Sequence, residues 1–120
     1  MGKILIVADQ GDSCIATSRG LELADKLGHA VEVAAFVYVP LDELLSDKAA
    51  QVGMRQQILD RRRMEVQTRI DRFATPEQKV ALKVVWLKDI YPWVIKRANS
   101  TAFDAVIKTR HESSTFSYTS

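Results

Sequence analysis

Residues able to bind a ligand stand at the ends of two apolar segments of this chain. Asp9 and Ser13 follow the first run, residues 3–8, while Lys108 and His111 lie at the end of the last. A carboxylate just past a buried strand can accept hydrogen bonds from ribose hydroxyls or ligate a hard cation. The basic side chains could attract an anion through their charge. Asp9 could equally cap the turn into the next helix, so the residues leave both roles open.

The motifs of common nucleotide enzymes and of nucleophilic catalysts are missing. A dinucleotide fingerprint needs three glycines so that the backbone can approach a pyrophosphate, but the segment ADQGDS contains only Gly11. A Walker loop is absent as well. A nucleophile at Ser13 or Cys14 would use His29 or His111 as its base, and no acid partner accompanies them. We therefore predict no catalytic residue, and a single cysteine offers no thiolate cluster for a metal.

Composition bounds the class of protein. The 120 residues, 47% of them hydrophobic, suffice for one domain over residues 1–120. The 17 basic and 15 acidic residues are mixed along the chain, so a formal charge of +2 does not favour a nucleic-acid partner. No signal peptide and no run of membrane-spanning length is recognisable, which predicts a protein without a membrane partner. The single cysteine favours a reducing compartment, and we expect a cytoplasmic location.

Apolar runs alternate with helical patterns. Strands are predicted at residues 3–8, 29–39, 80–87 and 102–108, with a helix between the first two that ends near Gly28. Residues 42–74 are helical in composition, and Gly53 predicts a break between a short helix and a longer one from about Met54 to Phe73. The arginines at 61–63 share that helix with acidic residues, which predicts a solvated face. Pro92 fits the first turn of the last helix.

This order of elements predicts an α/β fold. Strands separated by helices favour an open parallel, Rossmann-like sheet with right-handed crossovers and helices on both faces. Ligands of such sheets bind at the carboxyl ends of the strands, where the strand order reverses. If the first strand is central and the fourth lies beside it, the segment after Asp9 and the segment from Lys108 line that crevice.

The chain resembles a universal stress protein domain. The resemblance runs through KILIVADQGDS, VEVAAFVYV, LKVVWLKD and AFDAVIKTRH and covers essentially all of the sequence. It implies a parallel sheet of order 3-2-1-4-5 that dimerises through the fifth strand, and ATP binding in many members. No fifth strand is recognisable after residue 108, so we expect order 3-2-1-4 and a C-terminally incomplete domain. The resemblance implies these nucleotide-binding positions: Asp9, Ser13, Val39, Lys108 and His111.

One departure from the family pattern bears on function. ATP-binding members carry GxxG after the fourth strand, whereas this chain has Lys108 and His111 at those positions, and all its glycines lie at or before Gly53. The variant is similar to the N-terminal domain of tandem, E-type members, whose loop is also degenerate. We expect no tightly bound cofactor, with at most weak binding of ATP and magnesium. The resemblance thus implies a non-catalytic stress-response module that forms a homodimer or binds protein partners. The alternative is an ATP-binding protein with slow hydrolysis. An electron-transfer or nucleotide-hydrolase-like domain is a third interpretation, and it depends on sheet topology alone.

Overall fold

The computed structural model describes residues 2–10, 14–100 and 103–109. Over these ranges the chain forms four strands and four helices in alternation, apart from two helices that follow each other after the second strand. They are β1 (Lys3–Val7), α1 (Ile15–Leu27), β2 (Ala30–Val37), α2 (Leu41–Leu44), α3 (Lys48–Phe73), β3 (Val80–Trp86), α4 (Tyr91–Ser100) and β4 (Ala105–Ile107). Within the same ranges, no helix is both long enough and apolar enough to span a bilayer.

The strands form one parallel sheet in the order β3-β2-β1-β4. Strand β1 is central: Ile4 pairs with Val31 of β2 on one side and with Ala105 of β4 on the other. A strand that has neighbours on both edges and helices on both faces must be apolar throughout, which explains the continuous run that opens the sequence. The predicted order is confirmed, and the strand order reverses between β1 and β4 as expected.

Helices cover both faces of the sheet, as predicted. Helices α1 and α3 pack on the face that carries Ile4 and Ile6, and Val66 and Ile70 contribute the α3 side of that core. Helix α4 packs on the opposite face, where Phe36 and Trp93 meet edge to face with their ring centroids 5.2 Å apart. The two clusters make the sheet the middle layer of the molecule.

A partly buried ion pair joins α4 to the sheet. Glu32 of β2 is only 3% exposed, and its carboxylate accepts hydrogen bonds from Nε and Nη2 of Arg97 at 2.8 and 2.6 Å. These hydrogen bonds lower the pKa of Glu32 and raise the pKa of Arg97. A bidentate pair has one good geometry, so it sets the position of α4 along the strand.

Three boundaries differ from or refine the predictions. Helix α3 begins at Lys48, capped by the Asp47 carboxylate, and continues through Gly53, so the predicted break there is wrong. One glycine lowers helix stability by about 1 kcal/mol relative to alanine. The packing of this 26-residue helix on the sheet outweighs that loss. Gly28 ends α1 in the left-handed conformation at φ 69°, as predicted. Strand β4 is three residues long, shorter than the predicted run.

Candidate functional site

Asp9 stands at the carboxyl end of β1 and is 6% exposed. Its Oδ2 accepts a hydrogen bond from the backbone N–H of Ala16 at 2.9 Å, and its Oδ1 accepts one from the hydroxyl of Thr109. The N-cap residue of α1, Cys14, makes no side-chain cap hydrogen bond. Asp9, which precedes the helix, instead accepts a hydrogen bond from an N–H of the first helical turn. Both carboxylate oxygens therefore join β1 to α1 and to the segment after β4, which favours the structural role that the sequence left open.

The backbone of Asp9 is held by the long helix. Its carbonyl oxygen accepts hydrogen bonds from Nη2 of Arg62 at 3.0 Å and from Nη1 of Arg69 at 3.5 Å. Arg62 is 7% exposed, and its Nε has no hydrogen-bond partner within the described ranges. Burial lowers the pKa of Arg62, and the neighbouring charge of Arg69 lowers it further. Glu65, with Oε1 3.7 Å from Nη1 of Arg62, is the nearby counter-charge.

The prediction that the arginines at 61–63 lie on a solvated face is wrong for Arg62, which is buried. Arg62 lies four residues before Val66, and Arg69 lies one residue before Ile70; Val66 and Ile70 are buried in the core. Helical residues three and four apart share a face, so the spacing in the sequence was a usable signal that Arg62 points inward. The long stem of arginine lets its charged end reach polar groups at the end of a strand.

Lys108 is exposed and lies directly after β4. Its Nζ is 5.2 Å from the centroid of the Tyr91 ring, and it donates to the carbonyl oxygen of Thr109 at 3.5 Å. Lys108 therefore stands next to the residue that contacts Asp9. Thr109 was not predicted from the sequence, because the residues selected after β4 were the charged ones and not a hydroxyl donor.

The other predicted binding residues divide into two groups. Val39 is half-buried, two residues after β2, and lines a cavity at the ends of β2 and β3. Ser13 and His111 lie outside the described residues. Among the described side chains, no group of three or more His, Cys, Asp or Glu residues is arranged to hold a metal ion. The structure thus joins Asp9 to the β4 end through Thr109, and it places Val39 at a cavity that Asp9 does not line.

Comparison with known proteins indicates the fold. No family model and no curated protein matches the chain. Among solved structures, it is similar to a crystal structure of a protein from the universal stress protein family from Burkholderia pseudomallei, with a TM-score of 0.53. The match covers 92% of this chain and 82% of that one, at 16% sequence identity. Similarity at this identity establishes architecture, and the architecture agrees with the resemblance found in the sequence. The chain therefore has the α/β fold of a universal stress protein family structure.

Proposed function

We propose that this protein is a non-catalytic, universal stress protein-like module that regulates a stress response by association, with a degenerate nucleotide loop. The main support for the proposal is the burial and hydrogen bonding of the Asp9 carboxylate. A carboxylate that accepts hydrogen bonds from ribose hydroxyls must be accessible to the ligand, whereas Asp9 is 6% exposed and each of its oxygens already accepts one hydrogen bond, from Ala16 or from Thr109. A nucleotide would have to reach the remaining lone pairs of this buried carboxylate by rearranging the segment around Thr109, or bind without Asp9, and either route weakens its binding.

The chemistry of the β4 end supports the same conclusion. Glycine-rich loops hold phosphate with converging backbone amides, and each charge-assisted hydrogen bond contributes about 1.5–3 kcal/mol. Lys108 is instead an exposed cation whose contact with Tyr91 must compete with any phosphate. Ordering a long side chain costs conformational entropy, and salt screens its charge. A deficit of about 3 kcal/mol weakens affinity more than a hundredfold.

Calorimetry with magnesium ATP tests this function. We expect the protein to purify without nucleotide and to bind magnesium ATP weakly, with an affinity that falls as salt is added. Lys108→Ala should weaken binding further. Lys79→Ala is the matched control, because Lys79 is also exposed but precedes β3 at the opposite end of the sheet. A low-micromolar dissociation constant that is insensitive to salt would overturn the proposal.

The alternative function, ATP binding with slow hydrolysis, is favoured by one observation. Asp9 and Lys108 follow adjacent parallel strands, so both lie at the end of the sheet where the strand order reverses. Phosphate release from ATP separates the two functions. Turnover above the buffer blank that Asp9→Asn and Lys108→Ala both abolish would establish the alternative, and no turnover is expected under our proposal.

We also propose that the module self-associates and works in the cytoplasm. Strand β4 pairs with β1 on one side only within the described sheet, and Val106, the middle residue of β4, is 38% exposed. An open apolar edge strand recruits further strands. We expect a homodimer at micromolar concentration by sedimentation velocity, and Val106→Lys should weaken it. A monomer at high concentration argues against self-association, and a tagged chain found outside the cytoplasm argues against the location.

A further inference from the structure

A cavity of about 210 Å³ lies between the carboxyl ends of β2 and β3 and the first turns of α3. Its aromatic wall consists of Tyr38 and Trp86, whose ring centroids are 6.0 Å apart at an interplanar angle of 58°. Aliphatic side chains such as Leu41 and Val52 complete the apolar part. Asp9 does not line this cavity.

Two opposite charges line the same cavity without pairing. The guanidinium of Arg55 lies over the Trp86 ring at 5.2 Å from its centroid, a contact that orders the arginine but uses none of its N–H donors. Asp42 lines the cavity as well. Within the described part of the chain, neither residue takes part in a hydrogen bond or in an ion pair closer than 4.0 Å. Their hydrogen-bonding capacity is therefore open to a ligand.

We propose that this cavity binds an aromatic zwitterion of the amino-acid type. The ring packs against Tyr38 and Trp86, the carboxylate takes the N–H donors of Arg55, and the ammonium group donates to Asp42. The volume is below the roughly 300–1,000 Å³ of sites for drug-sized molecules, so one ring and a short polar end fit it. A purely apolar ligand would leave the hydrogen-bonding capacity of Arg55 and Asp42 unused, and a polyanion would be repelled by Asp42.

The two indole groups of the protein provide a direct test. L-Phenylalanine is the probe, and the indole N–H resonance of Trp86, assigned with Trp86→Phe, should move in a ¹H–¹⁵N correlation spectrum as phenylalanine is added. The resonance of Trp93 is the internal control, because Trp93 packs on Phe36 at the opposite face of the sheet. The absence of a Trp86 shift up to about 10 mM phenylalanine would overturn the proposal.

Truncated ligands test the two charge contacts separately. 3-Phenylpropionate lacks the ammonium group and phenethylamine lacks the carboxylate, and each should bind about fivefold more weakly than phenylalanine. Either one binding as tightly as phenylalanine would overturn the zwitterion assignment. Neither experiment depends on nucleotide binding, so its failure leaves the proposed function untouched.

Variants of the two charged residues complete the test. Arg55→Gln and Asp42→Asn should each weaken phenylalanine binding about fivefold. Both residues are exposed, so the fold should persist. Arg55→Gln should also remove most of the difference between phenylalanine and phenethylamine, since the carboxylate has then lost its partner. Arg63→Gln is the matched control, an exposed arginine on the same helix outside the cavity. Equal affinities for Arg55→Gln and Arg63→Gln would overturn the proposal.

Discussion

Replacing Asp9 should reveal how much of the fold depends on its carboxylate. Asp9→Ala leaves the N–H of Ala16 and the hydroxyl of Thr109 without their acceptor. Loss of a helix cap costs about 1 kcal/mol, and loss of a buried hydrogen bond to a charged group costs about 2 kcal/mol. We therefore expect a loss of about 3 kcal/mol, which lowers the melting temperature of a domain of this size by about 12 °C.

Asp9→Asn should be much milder. The amide oxygen can accept a hydrogen bond from the N–H of Ala16, and the amide N–H can donate one to the hydroxyl oxygen of Thr109. Both contacts therefore persist, with donor and acceptor exchanged in the Thr109 contact. Only the attraction between a negative charge and the amino end of α1 is lost, about 0.5–1 kcal/mol. The melting temperature should fall by about 2–4 °C.

Denaturant titration and thermal melting of the two variants provide the measurement. Asp89→Ala, at an exposed aspartate, is the control and should change stability by less than about 0.5 kcal/mol. Thr109→Val tests the coupling: it should cost about 1 kcal/mol in the parent and nothing further in Asp9→Ala. An Asp9→Ala protein as stable as the parent would refute the reasoning, and so would an equal cost of Thr109→Val in both backgrounds.

Three further predictions concern other parts of the fold. Hydrogen bonding lowers the pKa of Glu32, so its pair with Arg97 contributes its full stabilisation at pH values above the ordinary carboxyl pKa of 4.5. That stabilisation is lost as the pH falls below 4.5 and through the lowered pKa. Glu32→Gln should flatten that pH dependence in acid titrations, and Arg97→Met should cost about 2 kcal/mol at neutral pH. In Gly20→Ala, the new Cβ would meet Cδ1 of the buried Ile6 at 2.5 Å. We expect a net loss of about 1 kcal/mol in urea unfolding. Ile6→Val should relieve part of the clash, so the double variant should lose less stability than the sum of the two single variants. Additive losses would contradict the clash. Gly53→Ala should instead raise stability by about 1 kcal/mol in the same assay, since nothing lies within 4 Å of its new Cβ; a loss would contradict a continuous α3.

The order of the elements could be derived from the sequence because it depends on local patterns. Continuous apolar runs, such as residues 3–8, indicate strands buried on both faces, and Gly28 marks the end of a helix through its left-handed conformation. A parallel sheet then follows from general rules of chain connection, whereas the order 3-2-1-4 was implied by the resemblance to the universal stress protein family. The failure at Gly53 has the same origin, since a local cost of about 1 kcal/mol was read without the packing that outweighs it.

Asp9 could be singled out from the sequence, but its partners could not. Position after a buried strand selected this carboxylate, and the same information was compatible with a ligand site and with a cap. Arg62 and Thr109 are 53 and 100 residues away along the chain, and they meet Asp9 only because α3 crosses the sheet and β4 pairs beside β1. The pairing of Tyr38 with Trp86, and the position of Arg55 over the indole, likewise require the carboxyl ends of β2 and β3 to meet the first turns of α3. Local sequence determined which segments became strands and helices, whereas these contacts arise from the packing of distant segments, which no local pattern encodes.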